Sequence, residues 1–155
     1  ILVLSLSSLN LGSPGSYGTL DLTDEDMVLT YTGSDPMSGI YGDIKSAYDN
    51  GNWDMPGLKS SMASGTGTSL GYHDNSDGEF SSFDGMNVGA NVIIVKYTWD
   101  GDTNLDGKVD TADYTAMTNG NGSSWGQGDL NYDGGKESSD GALYTLGDSV
   151  QNSLL

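Results

Sequence analysis

The 155 residues leave room for one ordinary domain or two small ones, and five Lys and Arg against 22 Asp and Glu give a net charge of −17. That balance repels phosphate backbones and anionic headgroups, which excludes nucleic acid and membrane surfaces as natural partners and makes a cation the natural guest. With 35% hydrophobic residues, 24 glycines, nine Tyr, three Trp and no Cys, the chain is neither a long-helix bundle nor a disordered segment, and it has no disulfide, thiolate zinc site or cysteine nucleophile.

Along the chain, Leu2, Leu4 and Leu6 share one strand face, and the parity passes to Leu9 and Leu11 across Ser7-Ser8, the pattern of a strand with an inserted bulge residue. Ile1 to Leu4 is apolar on both faces, and the run from Ile1 to Leu11 has the apolar length of a signal-peptide core but lacks a basic flank and is too short to span a bilayer, so membrane insertion is not expected. Because it begins at Ile1, the chain reads as processed or as a fragment. Two placements of residues 1–11 stay open. They form the first strand of this domain's own sheet, or a donor strand, tethered by Gly12-Ser13-Pro14-Gly15, that completes a neighbouring copy.

Leu20 and Leu22, followed by Met27 to Tyr31, read as a hairpin around Thr23-Asp24-Glu25. Ser34-Asp35-Pro36 supplies a capping side chain and a proline ahead of Ile40, Ile44, Ala47 and Tyr48, a helical stripe that stops at Asn50-Gly51. A second short helix is expected over residues 56–63, closed by Gly65, then a short strand over 69–72 and a loop over 73–89. Residues 91–99 are the clearest strand. Ile93, Val95, Tyr97 and Trp99 share one face while Val92 and Ile94 fill the other, as a central strand requires.

After Trp99 the texture changes to short turns carrying carboxylates, which sets a module boundary between residues 1–99 and 100–155. The segment Gly101-Asp102-Thr103-Asn104-Leu105-Asp106-Gly107 returns as Gly128-Asp129-Leu130-Asn131-Tyr132-Asp133-Gly134, a duplication. Each copy is an oxygen-ligand loop. In the first, Asp102, Asn104 and Asp106 fill positions 1, 3 and 5, Gly107 makes the turn, the Lys108 carbonyl takes position 7, Asp110 position 9 and Asp113 position 12. In the second, Asp129, Asn131, Asp133, the Gly135 carbonyl, Glu137 and Asp140 do the same, and Lys136 replaces the apolar residue usual at position 8. The hard, all-oxygen set suits calcium rather than zinc, two ions per chain, and the eight loop carboxylates repel one another without a cation.

The runs GDTNLDGKVDTADYTAMT and GDLNYDGGKESSDGALYTL resemble the paired repeats of a type I dockerin. The resemblance covers residues 100–147 and implies a duplicated calcium loop, each followed by one helix, that plugs into a cohesin domain. It implies metal ligation by the residues just named and partner recognition by Thr111-Ala112 and Ser138-Ser139. Both helices look short, with Asn119-Gly120-Asn121-Gly122 stopping the first. The upstream residues, from LDLTDEDMVLTYTG to VIIVKYTWDGD, resemble the C-terminal region of large secreted bacterial surface proteins.

Other constellations are weaker. His73, the single histidine, would need Asp74 or Asp77 for a nucleophilic relay, and a loop leaves it exposed with nothing to position it. No apolar cleft is visible beside Asp24, Glu25, Asp26, Asp43, Asp49 or Asp54 to raise one carboxyl for glycoside hydrolysis. Tyr41, Tyr48, Trp53, Tyr72, Tyr97 and Trp99 suit a sugar-stacking platform or ordinary packing equally well, and Asn121-Gly122-Ser123 fits a glycan acceptor. The expectation is therefore an α+β protein and not an enzyme: a β-rich module with one or two short helices, followed by the dockerin-like pair. Its function is read as that of an extracellular, cell-surface calcium-binding structural protein that assembles with copies of itself into a filament or layer by strand exchange. The alternative is an adaptor for a cohesin-like or glycan partner.

Overall fold

The computed structural model describes residues 2–13, 16 and 18–154. Ile1 of the apolar run and Pro14-Gly15 of its tether lie outside them. In chain order the elements are β1 (Val3–Leu6), β2 (Thr19–Asp21), β3 (Asp26–Thr30), α1 (Met37–Tyr48), β4 (Gly57–Lys59), β5 (Thr68–Asp74), β6 (Ser82–Phe83), β7 (Met86–Asn87), β8 (Val92–Trp99), α2 (Thr111–Asn119) and α3 (Ser138–Ser153), an α+β arrangement. Among the described residues, no helix is long and apolar enough to cross a membrane.

The main sheet runs β1-β3-β8-β5. β8 is central, as its two apolar faces require: Val95 pairs with Met27 of β3 on one side and Tyr72 of β5 on the other, and Ile93, Ile94 and Val95 are fully buried. β1 lies parallel to β3 at the sheet edge, Val3 opposite Asp26 and Leu6 opposite Leu29. The N-terminal strand is thus covered by its own chain. It ends at Leu6, so the parity change at Ser7-Ser8 marks the end of the strand rather than a bulge, and Leu9 and Leu11 still pack on the core from irregular backbone.

Two local expectations are corrected. β2 and β3 do not form a hairpin: β2 pairs in parallel with β4, the Leu22 amide donates to the Lys59 carbonyl, and the turn closed by Glu25 N to Leu22 O sends the chain into a different sheet. Residues 56–63 hold strand β4 and not a helix. Gly57 (φ +139°) runs so close beneath α1 that a Cβ would stand 2.2 Å from the Asp43 carbonyl oxygen, and only extended backbone passes there. α1 forms as its sequence predicts. Asp35 Oδ1 accepts from Met37 N at 2.7 Å, Ile40, Ile44 and Ala47 are buried against β4, and Asp49 and Asn50 end the helix in left-handed conformations.

The core does not stop at Asp100. Leu105, Met117, Trp125, Leu130 and Tyr132 belong to the same buried cluster as Leu70, Tyr72 and Ile93. β5 admits them because Gly71 has no side chain, a Cβ there standing 2.5 Å from Leu105 Cδ2 and 2.8 Å from Trp125 Nε1. α3 is far from short. It runs through Gly141 and Gly147 to Ser153, with Gly147 pressed on the Asp100 backbone, where a Cβ would lie 1.9 Å from the carbonyl oxygen. Gly147→Ala is therefore expected to lower stability by about 1–3 kcal/mol through overpacking, whereas Gly141→Ala, with nothing within 4 Å, raises it by roughly 0.5–1 kcal/mol through helix propensity. Urea denaturation of the two variants checks the contrast.

Candidate metal centre

The loops that precede α2 and α3 share one pattern of backbone amides donating to their carboxylates and Asn side chains. In the first, Asp102 Oδ1 accepts from Asp106 N at 3.0 Å and its Oδ2 from Gly107 N at 2.8 Å; in the second, Asp129 Oδ1 accepts from Asp133 N at 3.0 Å and its Oδ2 from Gly134 N at 3.1 Å. Asn104 Oδ1 takes Asp106 N as Asn131 Oδ1 takes Asp133 N, both at 3.0 Å. Asp106 Oδ1 accepts from Lys108 N, and Asp133 Oδ1 from Gly135 N, which turns the backbone at position 7. Gly107 (φ +89°) and Gly134 (φ +90°) take the left-handed turn that position 6 demands.

The acid at position 12 closes each loop and starts each helix. Asp113 Oδ1 accepts from Thr103 N and Asn104 N, and its Oδ2 from Asp110 N; Asp140 Oδ1 accepts from Leu130 N and Asn131 N, and its Oδ2 from Glu137 N. The same bonds form the capping boxes of α2 and α3. Burial matches as closely. Asp102, Asp113, Asp129 and Asp140 are fully buried, Asn104 and Asn131 are half-buried, and Asp106, Asp110, Asp133 and Glu137 are exposed.

All twelve expected ligand residues thus lie in two matched loops that offer oxygen alone. Among the described residues, three acids of one loop do not converge on a single point, because the acids at positions 1 and 12 turn their oxygens to backbone amides and to the hydroxyls of Thr98, Thr103 and Tyr41. Among the described residues, no Lys or His stands within 4.0 Å of a loop carboxylate. Each ionised carboxylate oxygen accepts at two sites, so the bonds fill one oxygen of each buried acid, and the other, Oδ1 of Asp102 and Asp129 and Oδ2 of Asp113 and Asp140, accepts a single bond and retains capacity for a cation. The donor set fits a hard divalent ion such as calcium.

Several features of the site were not legible in the sequence. Position 4 of each loop, Leu105 and Tyr132, is left-handed (φ +59° in both), and this turns the side chain away from the ligands into the core. Tyr132 donates its hydroxyl to the Leu70 carbonyl at 2.9 Å, stacks on Trp125 and Tyr72, and meets Tyr48 and Trp53 edge-on. Tyr48, Trp53 and Tyr72 are accordingly core residues. Trp125 donates Nε1–H to the Asp102 carbonyl at 2.7 Å, and the Tyr41 hydroxyl of α1 stands 3.2 Å from Asp129 Oδ2. Both loops are clamped to the sheet.

The two repeats also embrace reciprocally. Gly101 packs on Tyr144 of α3 as Gly128 packs on Met117 of α2, and Gly147 on the Asp100 backbone as Gly120 on that of Gln127, each pair lying at equivalent positions of the duplication. Position 8 follows the same rule with different chemistry. The Val109 backbone exchanges hydrogen bonds with the Gln151 amide of α3 (2.7 and 3.1 Å), and Lys136 Nζ caps the end of α2 on the carbonyls of Met117, Thr118 and Gly120. Lys136 is therefore a helix cap rather than a defect of loop two.

His73 is not an exposed loop residue. It lies in β5, half-buried, its ring 5.0 Å from Phe80 and its Nε2 3.1 Å from Asp77 Oδ1 and 3.7 Å from Glu79 Oε2. Buried Asn75 holds the segment by bonds to Phe80 and Gly89. These three side chains bring one nitrogen and two oxygens within 4.8 Å of one another, beside a groove of about 400 Å³ that loop one helps to line. The sequence matches no known protein family, and no curated protein or solved structure is similar to it.

Burial raises the Asp102 and Asp100 carboxyls to about 6 from an ordinary value of 3.8. The metal-free folded chain therefore holds protons that the unfolded chain has released above pH 3.8, and this contribution to stability is lost as pH rises through about 6. In chelator, the unfolding midpoint is expected to fall as pH goes from about 5 to about 7, measured by thermal denaturation. Tyr132→Ala is expected to cost about 3–5 kcal/mol and Tyr132→Phe, which loses only the bond to Leu70, about 1 kcal/mol. Both are read from urea unfolding.

Proposed function

We propose that this chain is a calcium-dependent docking module of an extracellular structural protein, holding two Ca2+ ions in the loops that begin at Asp102 and Asp129. The observation that carries the reading is that four carboxylates, Asp102, Asp113, Asp129 and Asp140, are fully buried and that, among the described residues, no cationic side chain stands beside any of them. Burying uncompensated charge is costly, and a cation from solution compensates it. Calcium at millimolar level, as outside cells, suits loops in which two of the four carboxylates are exposed to solvent.

Docking is placed ahead of self-assembly because β1 joins its own chain's sheet, whereas a filament requires that same strand to leave β3. The docking face consists of Thr111-Ala112 and Ser138-Ser139, all exposed, with Tyr114 and Leu146, which are exposed large hydrophobics. Its partner is a second protein of the assembly. The locked pair of repeats gives that partner a rigid surface in calcium and a loosened one without it.

Titration calorimetry is expected to give two calcium ions per chain, and one each for Asp102→Ala and Asp129→Ala. No heat of binding, or stoichiometry unmoved by both variants, rejects the reading. Because Tyr132 and Trp125 anchor the loops in the common core, chelation should also lower hydrogen-exchange protection in β5, not only beyond Asp100. Electron microscopy separates the modes of assembly: particles that stay monodisperse in calcium support docking, and filaments return strand exchange to first place.

A further inference from the structure

Three ionisable side chains that the loops do not use meet where β3, β8 and the β6–β7 turn converge. Asp26 opens β3, one step beyond the Met27–Val95 pair, and so faces Lys96 of β8. Asp26 is fully buried and Lys96 is 7% exposed. Lys96 Nζ stands 3.4 Å from Asp26 Oδ2 and 3.6 Å from Asp84 Oδ1, over the Phe83 ring at 5.1 Å. The backbone N–H of Tyr97 donates to Asp26 Oδ1 at 2.8 Å. Asp84 and Gly85 form the two-residue turn between β6 and β7, both left-handed (φ +45° and +81°), and this turn aims the Asp84 carboxyl inward.

Amine and acid are thereby held in contact, out of water, on neighbouring strands, with the carboxylate of a partly solvated turn beside them. We propose that Lys96 and Asp26 condense into an intramolecular amide that joins β3 to β8, with Asp84 carrying the protons. Burial pushes the Asp26 carboxyl up to about 7, while contact with Asp26 and then with Lys96 holds Asp84 below the usual carboxylate range. The proposed reaction starts from the Asp26 acid, the Asp84 carboxylate and the Lys96 side chain in its ordinary protonated form.

The reaction balances without any co-reactant. Asp84 takes one proton from Lys96 Nζ, and the freed lone pair attacks Asp26 Cγ. The carbonyl electrons move onto Oδ1, where the Tyr97 N–H stabilises the charge. Asp84 returns its proton to the Oδ2 hydroxyl, the Cγ–Oδ2 bond breaks, and water leaves as Oδ1 regains its double bond. The second Nζ proton passes to Asp84, which ends as the neutral acid beside an amide. With Nζ 3.4 Å from Asp26 Oδ2 and 3.6 Å from Asp84 Oδ1, amine, acid and proton carrier are neighbours before reaction, which removes the entropy cost of bringing them together. In a chain with no Cys, the bond supplies the covalent tie that a disulfide gives elsewhere, placed between the central strand and its neighbour. It is independent of calcium.

Mass spectrometry of the denatured full-length chain tests the proposal. The expected mass is that of the sequence less one water, and proteolysis is expected to release one branched peptide pair joining the segments around Asp26 and Lys96. Asp26→Asn is expected to lose one ammonia instead, because the leaving group is then an amine. Lys96→Arg and Asp84→Asn are expected to keep their full sequence mass. A wild-type chain of full sequence mass overturns the proposal, as does water loss that persists in Lys96→Arg. Persistence in Asp84→Asn overturns the role of Asp84. The wild-type peptide pair needs no variant, so a substitution that fails to fold leaves the proposal open to refutation.

Discussion

Everything distal to Trp99 depends on one buried ring. Tyr132 belongs by sequence to a metal-type loop, yet its side chain is fully buried among Tyr48, Trp53, Tyr72 and Trp125, with its hydroxyl on β5. An aromatic of this size buries 150–250 Å², roughly, at the price of a left-handed backbone worth about 1–2 kcal/mol. The balance favours insertion. What reads in sequence as two modules thus shares one buried core, and the loop conformation is held from inside as well as by its own hydrogen bonds.

The reciprocal packing of the repeats sharpens this. Glycines at equivalent positions, Gly101 with Gly128 and Gly120 with Gly147, let each repeat's backbone touch the other, and a methyl group at these contacts would collide. Duplication has preserved the contacts while the chemistry at position 8 has diverged, an amide exchange at Val109 and a lysine cap at Lys136. Contact geometry is the conserved quantity, because two interlocked copies leave little room for either to move alone.

Charge accounts for the rest of the design. With five basic side chains for 22 acids, the placement of each cation matters. Lys96 lies between Asp26 and Asp84, and Lys136 covers the end of α2. Neither serves the loops. Their carboxylates rely on backbone amides and, in the function proposed, on calcium from outside. The Lys96 cluster is opposite in character: a buried cation and a buried acid in contact, with a partly solvated second acid beside them.

Sequence alone determined the features that are set by local rules. Alternation over residues 91–99 named the central strand, capping residues and a stripe of four named α1, and repeated acid spacing marked two loops of matching build. Tertiary structure decided what depends on distant partners. The apparent hairpin at Leu22 parted because β4 offered β2 a better edge; residues 57–59 became a strand because α1 left space only for extended backbone; β1 found its own sheet. The meeting of Asp26, Asp84 and Lys96 has no signature in spacing at all, since register across two strands and the aim of a turn create it. Local sequence specifies which groups are present and the conformations open to them, and only packing specifies which groups touch.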